Sequence, residues 1–260
     1  MRRQLLRLMM SCSLAICFYT GIAQADYVGN DRQSSFGLMS RETQAMQQDP
    51  TQNPATFWVL DGEALWNRPA GQNSVSCASC HGQAEKSMKG VAASFPKLVQ
   101  NKLLNLEGQI NRCTTQRQQS KPFAHESKEL LSLLAFVGTQ SKGMPITVDQ
   151  SPAIEKHLQS GKNLFEQKMG QLNLSCAQCH AERAGKKLAG NPIPQGHPTG
   201  YPIYRLEWQS VGSLERRLRN CLTGVRAQPF AEDSKEILEL ELYLMWRARG
   251  MDIETPAVRP

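Results

Sequence analysis

Beyond its first 25 residues the sequence has no apolar run long enough to cross a bilayer, a crossing that takes about 20 residues. A membrane bundle is therefore excluded. No alternating strand pattern competes with the helical periodicity, so the pattern gives no support to a strand-built architecture. Nor is charge of one sign in surplus. The formal net charge is +7, but Arg2, Arg3 and Arg7 lie in the N-terminal leader, and the remainder carries +4. That balance does not argue for nucleic-acid binding, and local clusters of charge matter more here than the total. With 40% hydrophobic and 20% charged residues, the chain is ordinary for a globular protein and excludes disorder. Its 260 residues are enough for one or two compact cores.

The leader is a secretory signal in form. Three arginines precede an apolar run over residues 8–23, and Ala23-Gln24-Ala25 is a small-residue cleavage site. The mature chain is expected to begin at Asp26, in the periplasm, with no membrane span. The run is short for an uncleaved anchor, and Ile16 before Cys17 argues against a lipoprotein.

Of eight cysteines, Cys12 and Cys17 leave with the leader, and six remain. Six cysteines in an exported chain would ordinarily suggest three disulfides. The spacing points elsewhere. Cys77-Ala78-Ser79-Cys80-His81 and Cys176-Ala177-Gln178-Cys179-His180 are both C-x-x-C-H, the haem c attachment motif. In each, two thiols form thioethers and the adjoining imidazole ligates the iron, so two covalent haem c groups are expected per chain. Paired C-x-x-C zinc sites would need four ligands per metal, which a histidine directly after the second cysteine serves poorly.

The motifs sit in a repeat. Gly62, Leu65 and Trp66 match Gly161, Leu164 and Phe165, and the haem motifs match at the same offset of 99. Phe95-Pro96 matches Tyr201-Pro202. Residues 106–113 (LEGQINRC) match 214–221 (LERRLRNC) at 108, and Gly143-Met144 matches Gly250-Met251 at 107. Residues 185–202, rich in Gly and Pro, are the obvious insertion. Each half reads as three helices with long connections. Residues 98–110 and 213–221 form short helices that carry a cysteine near the C-terminal end, and 127–137 and 234–246 form apolar ones, each opened by a serine with a nearby acid. The expected fold is mainly α. Two tandem cytochrome c-like domains related by internal duplication (57–150 and 151–260) follow the signal (1–25) and an N-terminal extension (26–56) that wraps a neighbour, with a short helix over 40–46.

The second axial position of a c-type haem is usually Met or His. Met88 is only seven residues after His81, too close to turn round the haem edge. Met144 and Met251 lie beyond the last helix of each repeat and read as packing. His125, His157 and His197 have no counterparts in the other repeat and read as surface or loop residues. Cys113 and Cys221 are the metal-capable residues that both repeats share. Ferric iron deprotonates a coordinated thiol. A Cys113–Cys221 disulfide and a pair of buried thiols are the alternatives.

The two cysteines differ in surroundings. Cys221 follows Arg216, Arg217 and Arg219 and precedes Arg226, whereas Cys113 has only Arg112 and Arg117. Arg217 is four residues before Cys221, on the same helix face. An arginine there stabilises a thiolate and offers a planar fork to an oxyanion. Arg216 and Arg219 lie partly off that face.

The two haem motifs, the paired lone cysteines and the run Arg217-Leu218-Arg219-Asn220-Cys221-Leu222-Thr223 resemble the A subunit of the SoxAX cytochromes of thiosulfate oxidation, across essentially the whole mature chain. The resemblance implies an L-cysteine S-thiosulfotransferase. Such an enzyme couples thiosulfate oxidatively to a cysteine of a SoxYZ-like carrier protein, pairs with a SoxX-like monohaem cytochrome c subunit, and passes two electrons to a cytochrome c acceptor. By position, it implies that His81 and Cys113 ligate one iron and His180 and Cys221 the other. It further implies that Cys221 is the catalytic sulfur, as a persulfide, and that Arg217 holds thiosulfate. A plain dihaem electron carrier is the alternative, and such a carrier has no need of Arg217. A dihaem peroxidase would need an iron with an open position.

Overall fold

The computed structural model describes residues 31–260, which form one compact unit. The expected leader and its cleavage site lie outside the described residues. Helix α1 (Arg41–Gln48) precedes the first repeat. That repeat contains α2 (Thr56–Asn67), the one-turn α3 (Cys77–His81), α4 (Ala84–Ser87), a hairpin of β1 (Lys97–Val99) and β2 (Lys102–Leu104), α5 (Leu106–Gln116) and α6 (Lys128–Thr139). The second repeat contains α7 (Pro152–Glu166), the one-turn α8 (Cys176–His180), the hairpins β3 (Lys187–Leu188) with β4 (Asn191–Pro192) and β5 (Ile203–Arg205) with β6 (Ser210–Gly212), then α9 (Leu214–Gly224), α10 (Lys235–Arg247) and β7 (Ala257–Arg259). The fold is mainly helical, as expected.

Two features differ from the sequence pattern. The helix expected over 98–110 starts only at Leu106. Before it the chain makes a tight hairpin, with Gln100 and Asn101 at φ +50° and +63°, and Asn105 caps α5 by accepting a hydrogen bond from Gly108 N at 2.9 Å. Strands of three residues are too short to show alternation, so they left no pattern to read. The offset between repeats also grows in two steps. It is 99 at the haem motifs, 106 at Phe95-Pro96 and 108 at the lone cysteines. Seven residues of the insertion thus fall in the loop after α8, and two fall in the longer turn between β5 and β6.

In each half an early helix crosses the last helix at a glycine. A Cβ on Gly62 would lie 2.1 Å from Ser132 O, and one on Gly161 would lie 2.0 Å from Glu239 O. Only a glycine lets α2 approach α6, and α7 approach α10, this closely. Ser127 and Ser234 cap α6 and α10, accepting from Leu130 N and Ile237 N.

Both of these long helices are buried on two faces, and on α10 that burial takes in Glu239 and Glu241 as well as the apolar residues. On α6, Leu133, Phe136 and Val137 pack with Trp66 inside the first half, while Leu131 and Leu134 pack with Tyr204 and Val211 of the second half's hairpin. The converse holds on α10. Ile237, Leu240 and Leu244 face Phe165 and Leu218, while Leu238 and Leu242 pack with Leu103 and Leu98 of the first half's hairpin. Leu131 corresponds to Leu238, and Val211 to Leu103, so the contact is self-complementary, like a symmetric dimer within one chain. Four backbone hydrogen bonds repeat that symmetry. Gly143 N donates to Ile253 O and Gly250 N to Ile146 O, both at 2.8 Å; Ile146 N donates to Met251 O and Ile253 N to Met144 O, both at 2.9 Å.

The segment before α2 wraps the second half of its own chain. Asn53 Nδ2 donates to Pro256 O at 3.0 Å, Val258 N donates to Gln47 Oε1 at 3.1 Å, and Arg32 reaches the carbonyl of Arg247. Strand β7 lies parallel to β5, giving a three-stranded sheet ordered β6-β5-β7.

The crossing at Gly161 predicts that Gly161→Ala lowers stability by about 2 kcal/mol, the cost of overpacking, although alanine is the better helix former by up to about 1 kcal/mol. A melting temperature lower by about 5 °C is the expected result. An unchanged or raised value would contradict the close crossing.

Candidate functional site

Each C-x-x-C-H segment is a single helical turn closed by a reciprocal cap. Ser76 Oγ accepts from Ser79 N at 3.0 Å while Ser79 Oγ accepts from Ser76 N at 3.1 Å. Ser175 and Gln178 do the same around α8, at 3.2 and 3.0 Å. Such boxes satisfy the free N–H groups of a helix start and fix the turn that aims the cysteines and histidine inward.

Two cavities result. One of about 450 Å³ is lined by Cys77, Cys80, His81 and Cys113, with apolar walls that include Trp66 and Val137. One of about 480 Å³ is lined by Cys176, His180, Cys221 and Arg217. Cys179 lies on the same turn, half-buried, but does not line that cavity. These volumes suit a cofactor, for which about 300–1,000 Å³ is usual. The donor set suits haem c: two thiols, an imidazole and, in each cavity, a further sulfur. Burial and then the neighbouring Cys113 push the Cys77 thiol up to about 11, and burial and then Cys221 push Cys176 up to about 11. Among the described residues no two cysteines are joined in a disulfide, and Cys113 and Cys221 line different cavities.

His180 is held from behind. Its Nδ1–H donates to Pro194 O at 2.8 Å, and burial lowers its pKa. The ring is therefore a neutral imidazole with its Nε2 lone pair available to a metal. Pro194 belongs to the inserted loop, and so does Gly196, at φ +74°, where a Cβ would come within 3.1 Å of the His180 ring. In the first cavity the Trp66 ring lies 5.7 Å from that of His81.

The lone cysteines occupy equivalent places on α5 and α9, one helical turn after Gln109 and Arg217 respectively. Gln109 Nε2 donates to Cys113 Sγ at 3.2 Å. Met88 lines the first cavity, while Met144 and Met251 lie where the two halves join and line neither of the two. Arg216 stacks on Trp208, with its guanidinium carbon 4.2 Å from the ring centre, and Arg219 Nη1 donates to Phe230 O at 2.8 Å. The second cavity is also lined by Tyr201, Arg205 and Arg259 and by Ser35 and Thr43 of the N-terminal segment, to which sequence reasoning gave no role there, and by His197, which it read as a surface or loop residue.

Of the three unmatched histidines, expected at the surface or in loops, His125 and His197 do lie in loops and His157 lies on α7, but none of the three is exposed. His197 is buried and its Nδ1–H donates to Gln33 O at 3.0 Å; burial lowers its pKa to about 4. His157 Nδ1 is 2.8 Å from Glu239 Oε1. His125 Nε2 is 3.4 Å from Glu215 Oε1. The last pair belongs to a buried acidic cluster between the halves that no local pattern announced. Glu107, His125 and Glu215 bring ligand atoms within 4.8 Å of one another, and Asn105 Nδ2 donates to Glu241 Oε2 at 3.1 Å. Burial raises the pKa of Glu107, with Glu241 adding to it. It raises Glu215 to about 7, opposed by His125, and Glu241 to about 8, opposed by the Asn105 hydrogen bond. Glu126 and Asp233 contribute to the same field.

Two repeats, each with a capped C-x-x-C-H turn opening on an apolar cavity, define a tandem c-type cytochrome that binds haem c. The family model described as SoxA/TsdA, cytochrome c domain, matches residues 61–146 and again 160–253. The chain belongs to that family. Among similar proteins, the L-cysteine S-thiosulfotransferase subunit SoxA of Pseudaminobacter salicylatoxidans is 35% identical over 85% of this chain and 77% of its own length. The subunit of the same name from Rhodovulum sulfidophilum is 32% identical, over 87% and 79%. In the crystal structure of SoxXA from P. pantotrophus, the matching chain superposes with a TM-score of 0.85 at 31% identity, over 88% of this chain and 87% of that one.

The acidic cluster gives stability a pH dependence of known sign. Between about pH 4.5, where free glutamate titrates, and the raised folded values, the folded state holds protons that the unfolded chain has lost, so stability falls as pH rises. The Glu215 and Glu241 contributions fade as pH rises past their folded values of about 7 and about 8. The melting temperature should therefore drop by at least about 3 °C from pH 5 to pH 8, equivalent to about 1 kcal/mol, and Glu241→Gln should shrink the drop. An identical pH profile in Glu241→Gln would exclude this carboxyl as its source.

Proposed function

We propose that the chain is the catalytic dihaem subunit of a periplasmic L-cysteine S-thiosulfotransferase. Haem is attached at Cys77 and Cys80 in a first domain over 57–150, and at Cys176 and Cys179 in a second over 151–260. The observation that carries the reading is the contrast between matched places. Arg217 and Cys221 line one cavity with His180, where the first cavity has Gln109 and Cys113. A partner of the SoxX type, a monohaem cytochrome c, is in keeping with the SoxXA assembly from P. pantotrophus. Export follows from the leader over 1–25.

When bound, haem supplies a one-electron redox centre whose iron takes imidazole and thiolate ligands. His81 and His180 present the imidazoles, and Cys113 and Cys221 the sulfurs. The net reaction joins the outer sulfur of thiosulfate to the thiol sulfur of a SoxYZ-like carrier cysteine. One S–S bond forms, the S–H bond breaks with release of one proton, and two electrons leave to a cytochrome c acceptor. Arg217 would bind the sulfonate oxygens through its planar fork and orient the terminal sulfur toward Cys221, whose persulfide sulfur would bond to it as the two electrons leave to the cytochrome acceptor; the carrier thiolate would then take the S–SO3 group and release the Cys221 persulfide. Gln109, which donates to Cys113, leaves the first cavity without an oxyanion fork at that position.

In the haem-loaded complex, Cys221→Ala should lose thiosulfate-dependent modification of the carrier cysteine by at least about 1,000-fold, the scale of nucleophile removal in other enzymes. Haem attachment at Cys77 and Cys80 should be retained. Full activity in Cys221→Ala would return the chain to a plain electron carrier.

A further inference from the structure

The second cavity differs from the first at one more position than the helix sequences reveal. The third residue of each cavity-side strand, in β1 and β5, is Val99 in the first half and Arg205 in the second, and each lines its own cavity. At two matched positions, on two different elements, an apolar and a neutral residue in one cavity are therefore two arginines in the other. Haem attachment is common to both halves and does not account for the difference, and the first cavity has cations of its own in Lys97 and Arg117.

The two guanidiniums address the same space. The charged form of Arg205 is disfavoured first by burial and next by Arg217. The Tyr201 hydroxyl, its pKa raised to about 12 by burial, senses Arg217, Cys221 and Arg205 together. Arg205 has one carboxylate partner, Glu207, 3.0 Å from Nη2 at the exposed rim, and its side chain is otherwise only 14% exposed. Its buried Nε has no hydrogen-bond partner. Arg259, the third arginine of this wall, is already engaged by Glu254 at 3.0 Å and by Gln47. Two cations facing one cavity, one with a buried N–H unsatisfied, form a site that lacks its anion.

We propose that Arg205 and Arg217 form a two-arginine oxyanion subsite beside Cys221, specific for a small dianion that bears a terminal sulfur. Arg205 Nε–H takes one sulfonate oxygen and Arg217 takes the others. The dianion is thereby fixed at its oxygen end, with its sulfur directed at Cys221. This rests on the sulfur-transfer reading above and adds the residue that sets affinity and selectivity. The same chemistry would suit a carboxylate of the cavity's own haem, and the experiment separates the two.

The probe is thiosulfate itself, titrated calorimetrically into the oxidised, haem-loaded complex without the carrier protein, so that binding is read apart from turnover. Arg205→Gln should weaken the thiosulfate Kd by at least about 10-fold, Arg205→Lys should recover part of it, and the visible spectrum and both midpoint potentials should stay those of the wild type. In turnover, Arg205→Gln should raise KM for thiosulfate far more than it lowers kcat. An unchanged Kd in Arg205→Gln overturns the proposal, as does a shifted midpoint potential with unchanged Kd, which would make Arg205 a haem carboxylate partner. Failure to detect thiosulfate binding to the wild type also overturns it. Failure of the functional reading is recognised separately, by full activity in Cys221→Ala.

Discussion

The structure depends on α6 and α10 each being buried on two opposite faces. One face closes the helix's own cavity and the other receives the hairpin of the opposite repeat. That double burial packs the two halves into one compact unit. On α6 the face away from its own cavity packs on Tyr204 and Val211, which lie on β5 and β6, so the helix spans from the first cavity to the strand that bears Arg205.

On this shared frame the halves have separated in chemistry with few changes. The capped C-x-x-C-H turn, the helix crossing at glycine and the cysteine on the following helix are common to both. What differs lies at positions that the duplicated backbone holds in register: Gln109 against Arg217, Val99 against Arg205. The loop after α8 has seven extra residues and places a carbonyl behind His180. The protein thus holds two versions of one cavity, one apolar around its sulfur and one cationic.

Much of this was legible in sequence because it is local. The C-x-x-C-H spacing, the serines at 127 and 234 followed by acids, and the glycines at 62 and 161 are signals read within a few residues. What was not legible depends on distant partners. Residues 97–104 form three-residue strands, too short for any period to show. His125 and His157 read as surface residues because the glutamates that receive them come from the other half or from 82 residues away. Arg205 was passed over because a single arginine in a loop-like stretch carries no pattern, and its meaning appears only when its strand position is set against that of Val99. The short helix expected over 40–46 appears as α1 (Arg41–Gln48), but nothing in the composition of the N-terminal segment said which surface it would cover.

The walls of the two cavities are drawn from very different lengths of chain. The first is lined entirely by residues between Trp66 and Val137. The second takes residues from Ser35 and Thr43 as well as from Phe165 to Pro260. Because closing a loop costs entropy that grows with its length and contacts distant in sequence form slowly, the order of assembly is built into the topology. The first cavity can organise from contiguous chain, while the second stays open until a segment near residue 40 returns across nearly the whole length of the protein.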